Sequence, residues 1–279
     1  MIYILQKLGH LDYLSARQRK KFIWKVCELI KFKDRPFELD FFGLKYNGHT
    51  KNLIDRYVYF LGAYEKGMLD FIRKTLEESN DKIFLDIGAN VGHHSLFGSN
   101  YARQVFAFEP YAKVRKALEE KVYLNRLQNV KVVPYGLGST NEELTFFEPA
   151  DFNTGTGSFI KDFKPTNEDK GLKLVVRNGE ELFKELGINS ASLIKLDVEG
   201  FEALVLSGIL PFLEINKPVI IMEYSKESKR LFDENPQIKD FLRSHYEMHM
   251  FNNPNNIKYK LLNWDFDKFG DIVLNPKKS

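Results

Sequence analysis

One cysteine, Cys27, is all that the 279 residues contain, which excludes an intramolecular disulfide and a cysteine-rich zinc site. The natural compartment for such a chain is the cytosol. Long hydrophobic runs are missing as well: no uninterrupted apolar stretch approaches the roughly 20 residues of a membrane-spanning helix. Met1 to Leu14 lacks the basic start and small-residue cleavage site of a signal peptide, so the chain is expected to be soluble. A strong charge excess is absent too. Net charge +3 is too small to argue for a nucleic-acid partner. The GxGxxG run of dinucleotide-binding enzymes is not found, and neither are internal repeats, low-complexity tracts or a clear linker.

What is present is an ordinary globular composition, 43% apolar, enough for one large core or a domain with an appendage. Charge is uneven: residues 1–35 hold nine Lys or Arg against three acids. Between Ser15 and Ile30 the apolar Phe22, Ile23, Val26, Leu29 and Ile30 fall at helical spacing opposite a basic face. A docking helix with a solvated charged face and a membrane-surface or partner helix both fit. FELDFFGLKY, Phe37 to Tyr46, has strand composition with a turn or bulge at Gly43, which makes residues 1–55 a small N-terminal cap and 56–279 the main domain. Arg56 to Glu78 reads as one helix. From there strands at Ile83, Val105, Val130, Leu193 and Val219 alternate with helices at Ala112–Leu127, Glu180–Leu186 and Phe201–Leu213, a pattern that means a parallel sheet. Strands at 143–147 and 172–176 flank a polar loop rich in Gly, Thr, Ser and Asn. A helix near Ile238–Ser244 and strands at Tyr246–Phe251 and Ile272–Leu274 complete the chain.

The densest information lies in IFLDIGANVGHHSLFGSNYARQVFAFEP, residues 83–110. A short apolar strand ends in Asp86, a loop with Gly88, Asn90 and Gly92 turns beneath a ligand, and a second strand ends in Glu109. Backbone N–H groups at the start of the following helix face that ligand. Glu109 stands where a carboxylate accepts both hydroxyl hydrogens of a ribose. Asp86 would repel a pyrophosphate and suits a cationic ligand, so the pocket fits S-adenosylmethionine, with its sulfonium and ammonium, better than NAD.

DIGANVG at 86–92 with FEP at 108–110, IKLDVEG at 194–200 and IIME at 220–223 follow in order. Together these motifs resemble the FkbM-type family of S-adenosylmethionine-dependent methyltransferases, from about Tyr64–Glu65 to Tyr224. The resemblance implies a class I methyltransferase fold: a Rossmann-like, mostly parallel sheet of seven strands, the last antiparallel, with helices on both faces. It also implies methyl transfer, usually to an oxygen of a small-molecule, sugar or lipid-linked acceptor. An NAD-linked sugar-modifying oxidoreductase and a non-catalytic nucleoside-binding protein are the alternatives.

Individual residues follow. Asp86, Gly88, Asn90 and Gly92 would hold the methionine end of the cofactor and Glu109 the ribose. The family often carries a glutamate at the place of Glu65, a second partner for the ammonium or a solvated helix residue. Asp197 and Glu199 lie at the carboxyl edge of the sheet, where either accepts a proton or orients a hydroxyl; a helix-capping role is the alternative for Glu199. His93, in the first turn after the glycine loop, is a candidate base. Glu223, and Ser158 in the polar loop, are candidates for acceptor binding. His245, Glu247 and His249 alternate as metal ligands do, but a solvated edge explains them better. The two carboxylates at Asp197 and Glu199 also suggest magnesium. No metal is predicted, and loss of activity on chelation would reverse that.

Overall fold

The computed structural model describes residues 16–146, 171–253, 256–262 and 269–278. Ser158, like most of the polar loop around it, lies outside the described residues. Helix α1, Ala16–Leu29, and the hairpin β1, Pro36–Phe41, with β2, Leu44–His49, open the described chain. The hairpin turns at Phe42 and Gly43, with φ of +53° and +84°, the mirror-image two-residue turn whose twist matches that of the flanking strands. Phe42 bears this conformation with its ring edge-on to Phe97, 4.8 Å between centroids.

The single helix expected over Arg56–Glu78 is two, α2 at Leu53–Leu61 and α3 at Lys66–Glu78. Gly62, at φ +83°, ends α2 and returns its N–H to the Val58 carbonyl, a left-handed C-cap that glycine permits. Apolar periodicity continues through the break because both helices bury their inner sides. Residue 65 therefore lies at a helix start, at φ +48°, rather than on a solvated helical face. Phe201–Leu213 likewise divides into α7, Glu202–Gly208, and α8, Leu210–Asn216, with Pro211 in the first turn of the second. Pro211 has no N–H to continue the α7 ladder.

The main sheet has strand order β12-β11-β13-β10-β9-β3-β4-β5. Its members are β3 (Ile83–Ile87), β4 (Gln104–Phe108), β5 (Val130–Val133), β9 (Leu193–Leu196), β10 (Val219–Tyr224), β11 (Tyr246–Asn253), β12 (Asn256–Leu262) and β13 (Gly270–Pro276). Seven of them form the expected sheet, with β13 antiparallel to β10. An eighth, β12, pairs with β11 at the edge. Helices α4 (His93–Gly98), α5 (Ala112–Leu124), α6 (Gly179–Leu186), α9 (Lys226–Glu234) and α10 (Pro236–His245) complete the layers. Strands β6 (Gly136–Gly138), β7 (Glu142–Phe146) and β8 (Leu172–Asn178) make a separate three-stranded sheet. Among the described residues no helix is long and apolar enough to cross a membrane.

Strand alternation divides the core. Ile83, Leu85, Ile87, Ile194, Leu196 and Met222 pack on one sheet face, while Phe84, Leu193, Ile221 and Val273 pack on the other with Phe41, Tyr46 and Met68. The period of two puts Asp86, Lys195, Glu223 and Asp271 on this second face. Chain order runs outward from β3 to β4 and β5, then returns to β9 on the opposite side of β3. Between β3 and β9 the connections diverge, and the carboxyl edge opens there into a cleft.

Candidate active site

Gly88 turns the chain at the end of β3 with φ +81°, and a Cβ built on it would stand 1.9 Å from the Asp197 carbonyl oxygen. Only a hydrogen fits where this loop crosses the end of β9. The Gly88 and Ala89 N–H groups both donate to the Phe108 carbonyl, each at 3.0 Å, which ties the loop to β4. Gly92 is required for a different reason than ligand approach: its Cβ would meet Leu118 Cδ1 at 2.4 Å, so it lets α4 start close against α5.

Glu109 faces this loop. Its Oε2 accepts from the Asn90 N–H at 2.9 Å and its Oε1 from the Tyr111 N–H at 2.8 Å. Burial pushes its carboxyl up to about 7, against the pull of those two N–H groups and Arg115. A pocket runs past it, walled by Gly88, Asn90, Tyr111 and Phe146 and continuing to Asp197 and Glu199. The Tyr111 and Phe146 rings, 5.1 Å apart and tilted by 39°, form an apolar wall that the sequence did not announce, because residues 35 apart meet only once β7 folds over the cleft.

Beneath the pocket lies a buried ionic cluster. Ser95 Oγ donates to Asp86 Oδ2 at 2.5 Å, and Asp86 Oδ1 is buried with no hydrogen-bond partner among the described residues. Burial raises the Asp86 carboxyl, and Lys195 and the Ser95 hydrogen bond draw it back. Lys195, 3% exposed, donates to Asp197 Oδ2 at 3.0 Å. Burial opposes its charge, but Asp197, Asp86 and Glu65 outweigh that and raise its pKa. Sequence reasoning missed this lysine, although a Lys two residues before Asp197 on a strand is by period on the same face. Glu65 is not solvated. Its Oε2 lies 3.4 Å from His94 Nε2, and burial raises its pKa against Lys195.

His93 has no place in the cleft. It is 1% exposed, its Nε2 donates to the Tyr64 carbonyl at 2.9 Å, and the rings of Phe41, Tyr46 and Tyr64 surround it. Burial, with His94 beside it, holds its pKa well below the ordinary value. It is a core histidine, and the candidate base at this position is withdrawn. The helix turn it occupies points inward because α4 is buried on all sides.

The other wall of the cleft is acidic. One oxygen from each of Asp197, Glu199 and Glu223 lies within 4.8 Å of the others, close enough to close on a divalent cation, and Asp271 stands directly across from Glu223 in the sheet. Burial, then Asp197 and Glu223, pushes Glu199 up to about 9. Burial, then Asp197 and Asp271, pushes Glu223 up to about 8. Glu199 is not the helix cap. Among the described residues no side chain caps α7; Glu202, its first residue, instead ties down the turn before it, its Oε1 accepting from Val198 N–H at 3.3 Å and Gly200 N–H at 3.1 Å and its Oε2 from Ser228 Oγ at 2.6 Å. His245, Glu247 and His249 form no ligand set: His245 ends α10, its ring nitrogen on the Phe241 carbonyl, and His249 pairs with Asn275.

These raised carboxyls fix a pH dependence. The buried His93 and His94 oppose this only until the unfolded imidazoles lose their protons, about a unit above 6.5, and the more numerous carboxyls decide the trend. Glu109 and Glu202 at about 7, Glu223 at about 8 and Glu199 at about 9 all hold protons in the folded chain that the unfolded chain has released. Stability should therefore fall as pH rises from about 6.5 to about 9. Thermal melts across that window check it; a flat or rising Tm contradicts these shifts.

Residues 86–247 match the sequence profile described as the methyltransferase FkbM domain. Hexuronic acid methyltransferase AglP of Haloferax volcanii is 30% identical over 159 residues, 56% of this chain and 62% of AglP. AMB antimetabolite synthetase AmbE of Pseudomonas aeruginosa is 26% identical over 200 residues, 59% of this chain and 9% of AmbE. The chain thus spans less than two thirds of either relative's length. Among solved structures, the FkbM methyltransferase of Methylobacillus flagellatus KT superposes with TM-score 0.46 at 17% identity, over 70% of this chain and 43% of that one. Because the matching profile covers more than half of the chain, this protein belongs to the FkbM family of methyltransferases.

Proposed function

We propose that the chain methylates a hydroxyl oxygen of a sugar or similar polyhydroxylated acceptor, small or lipid-linked, held at the acidic wall of the cleft. The observation that carries this is one continuous pocket with Glu109 at one end and Asp197 and Glu199 at the other. S-adenosylmethionine, the methyl donor, supplies an electrophilic methyl carbon on a sulfonium leaving group.

The residues present suit that donor. Each Glu109 oxygen spends one lone pair on a backbone N–H, leaving another for a ribose hydroxyl. The Tyr111–Phe146 wall takes a flat apolar base. Buried Asp86, its Oδ1 without a partner among the described residues, and Glu65 supply the negative charge that an ammonium requires. Gly88 and Asn90 shape the backbone around the methionine end, and Gly92 serves by packing.

At the acceptor end Asp197, fixed by Lys195, accepts a hydrogen bond from the hydroxyl and orients its oxygen toward the methyl carbon. Such alignment supplies much of the acceleration in a displacement with a good leaving group. Glu199, raised to about 9, is a strong enough base once ionised to take the hydroxyl proton. Glu223 binds a neighbouring hydroxyl. AglP's name, a hexuronic acid methyltransferase, supports a sugar acceptor.

Calorimetric titration with S-adenosylmethionine tests the cofactor half. Glu109→Ala should weaken binding by about 1.5–3 kcal/mol, the range for hydrogen bonds to a charged group; unchanged affinity removes Glu109 from the site. S-adenosylhomocysteine release on adding neutral hexosides or hexuronosides tests the acceptor half.

A further inference from the structure

Helix α1 is held to the body on one side and, among the described residues, presents the other uncovered. Ile23 is fully buried against Tyr59 and Phe60, and the Trp24 ring lies edge-on to Tyr57 at 5.4 Å and to Phe60 at 6.1 Å. These contacts fix the helix in rotation. Lys21, Phe22, Lys25 and Leu29, all exposed, then fall within one outward arc of about 100°. Phe22 is 50% exposed and Leu29 73%, seven residues and thus two turns apart on the same stripe.

Charge on this face is one-sided. Some surface cations elsewhere meet acids, as in Arg73–Glu77, Lys184–Glu180 and Arg230–Glu234. The ammonium groups of Lys21, Lys25, Lys31 and Lys33 make no ion pair among the described residues. Residues 16–35 carry eight Lys or Arg against Glu28 and Asp34. Beside the helix a cavity of about 770 Å³ is lined by Lys20, Lys21, Trp24, Lys25, Phe32 and Arg56, with Glu28 also on its wall.

We propose that α1 docks this protein on the surface of a lipid bilayer that carries anionic headgroups, with Phe22 and Leu29 seated at the headgroup–acyl boundary and the flanking lysines on the lipid phosphates. A bilayer satisfies both halves of the face at once: anionic headgroups gather the lysines, and the interface takes up isolated apolar side chains of a helix lying in its plane. A nucleic acid would engage the lysines and leave Leu29 in water. The cleft is built by other elements, so docking and catalysis separate in a test.

The test is flotation of the full chain with phosphatidylcholine vesicles, with and without about one quarter phosphatidylglycerol. The protein should float with the anionic vesicles, and binding should fall at least about tenfold on neutral vesicles or in about 0.5 M salt. The double variant Lys21→Glu/Lys25→Glu should lose anionic binding, and Phe22→Ser/Leu29→Ser should weaken it several-fold with charge unchanged. Both should bind S-adenosylmethionine as the parent does, which shows that they are folded. No flotation overturns the proposal, as does equal flotation with both vesicle types. Anionic binding indifferent to Phe22→Ser/Leu29→Ser, with matching affinity for duplex DNA, overturns it in favour of a general polyanion site.

Discussion

Asp197→Asn is expected to lower kcat by about 10²- to 10⁴-fold, the range for losing a positioned acid–base or orienting group, while S-adenosylmethionine affinity stays within about threefold. Asparagine keeps an oxygen that Lys195 Nζ, now 3.0 Å away, can still reach. The buried ammonium also keeps Asp86 and Glu65 as charge partners. What is lost is the negative charge that faces the acceptor. A second signature distinguishes this from general damage. Asp197 is the first charged cause, after burial, of the raised carboxyls of both Glu199 and Glu223, so the variant's residual activity should rise with pH at lower pH than the parent's. Steady-state rates of S-adenosylhomocysteine release across pH 6–10, once an acceptor is in hand, decide it. Unchanged kcat would take Asp197 out of the reaction.

Gly88→Ala should cost about 2–4 kcal/mol of stability and remove measurable cofactor binding. Left-handed φ alone costs an alanine about 1 kcal/mol. The larger part is steric, because the new methyl would sit 1.9 Å from the Asp197 carbonyl oxygen. β3 and β9 would have to part where the Asp197 N–H donates to the Ile87 carbonyl at 3.0 Å. Tm should drop by roughly 5–15 °C. Gly187→Ala is the control. Its φ is +72° but nothing lies within 4 Å of the added Cβ, so it should show the conformational cost alone. Equal losses at the two glycines would mean that close approach at Gly88 contributes nothing.

Much of the candidate site could be read in the chain because its parts are local. Asp86, Gly88, Asn90 and Glu109 sit within one strand–loop–strand unit, and the alternation around them named the sheet. His93 was misread for a reason that is not local. Next to a glycine loop it looks catalytic, and only the hairpin's Phe41 and Tyr46, arriving from fifty residues upstream, close over it. Glu202 was overlooked because the partners that hold it buried are not all local. One of them is the Ser228 hydroxyl from α9, a helix that periodicity did not reveal. The breaks at Gly62 and Pro211 escaped because apolar spacing continues across them.

The sequence by itself determined the parallel sheet, its order of elements, the glycine loop that meets Glu109 and the methyltransferase motifs, since each is a short-range pattern with a fixed period or spacing. Tertiary structure alone decided the electrostatics. It gathered Asp197 and Glu199 from the turn after β9, Glu223 from β10 and Asp271 from β13 onto one wall, set Lys195 beneath them, and sank Asp86 and Glu65 from water. A carboxyl's proton affinity depends on the dielectric and the charges around it, and those are properties of residues distant in the chain that folding brings within a few ångströms.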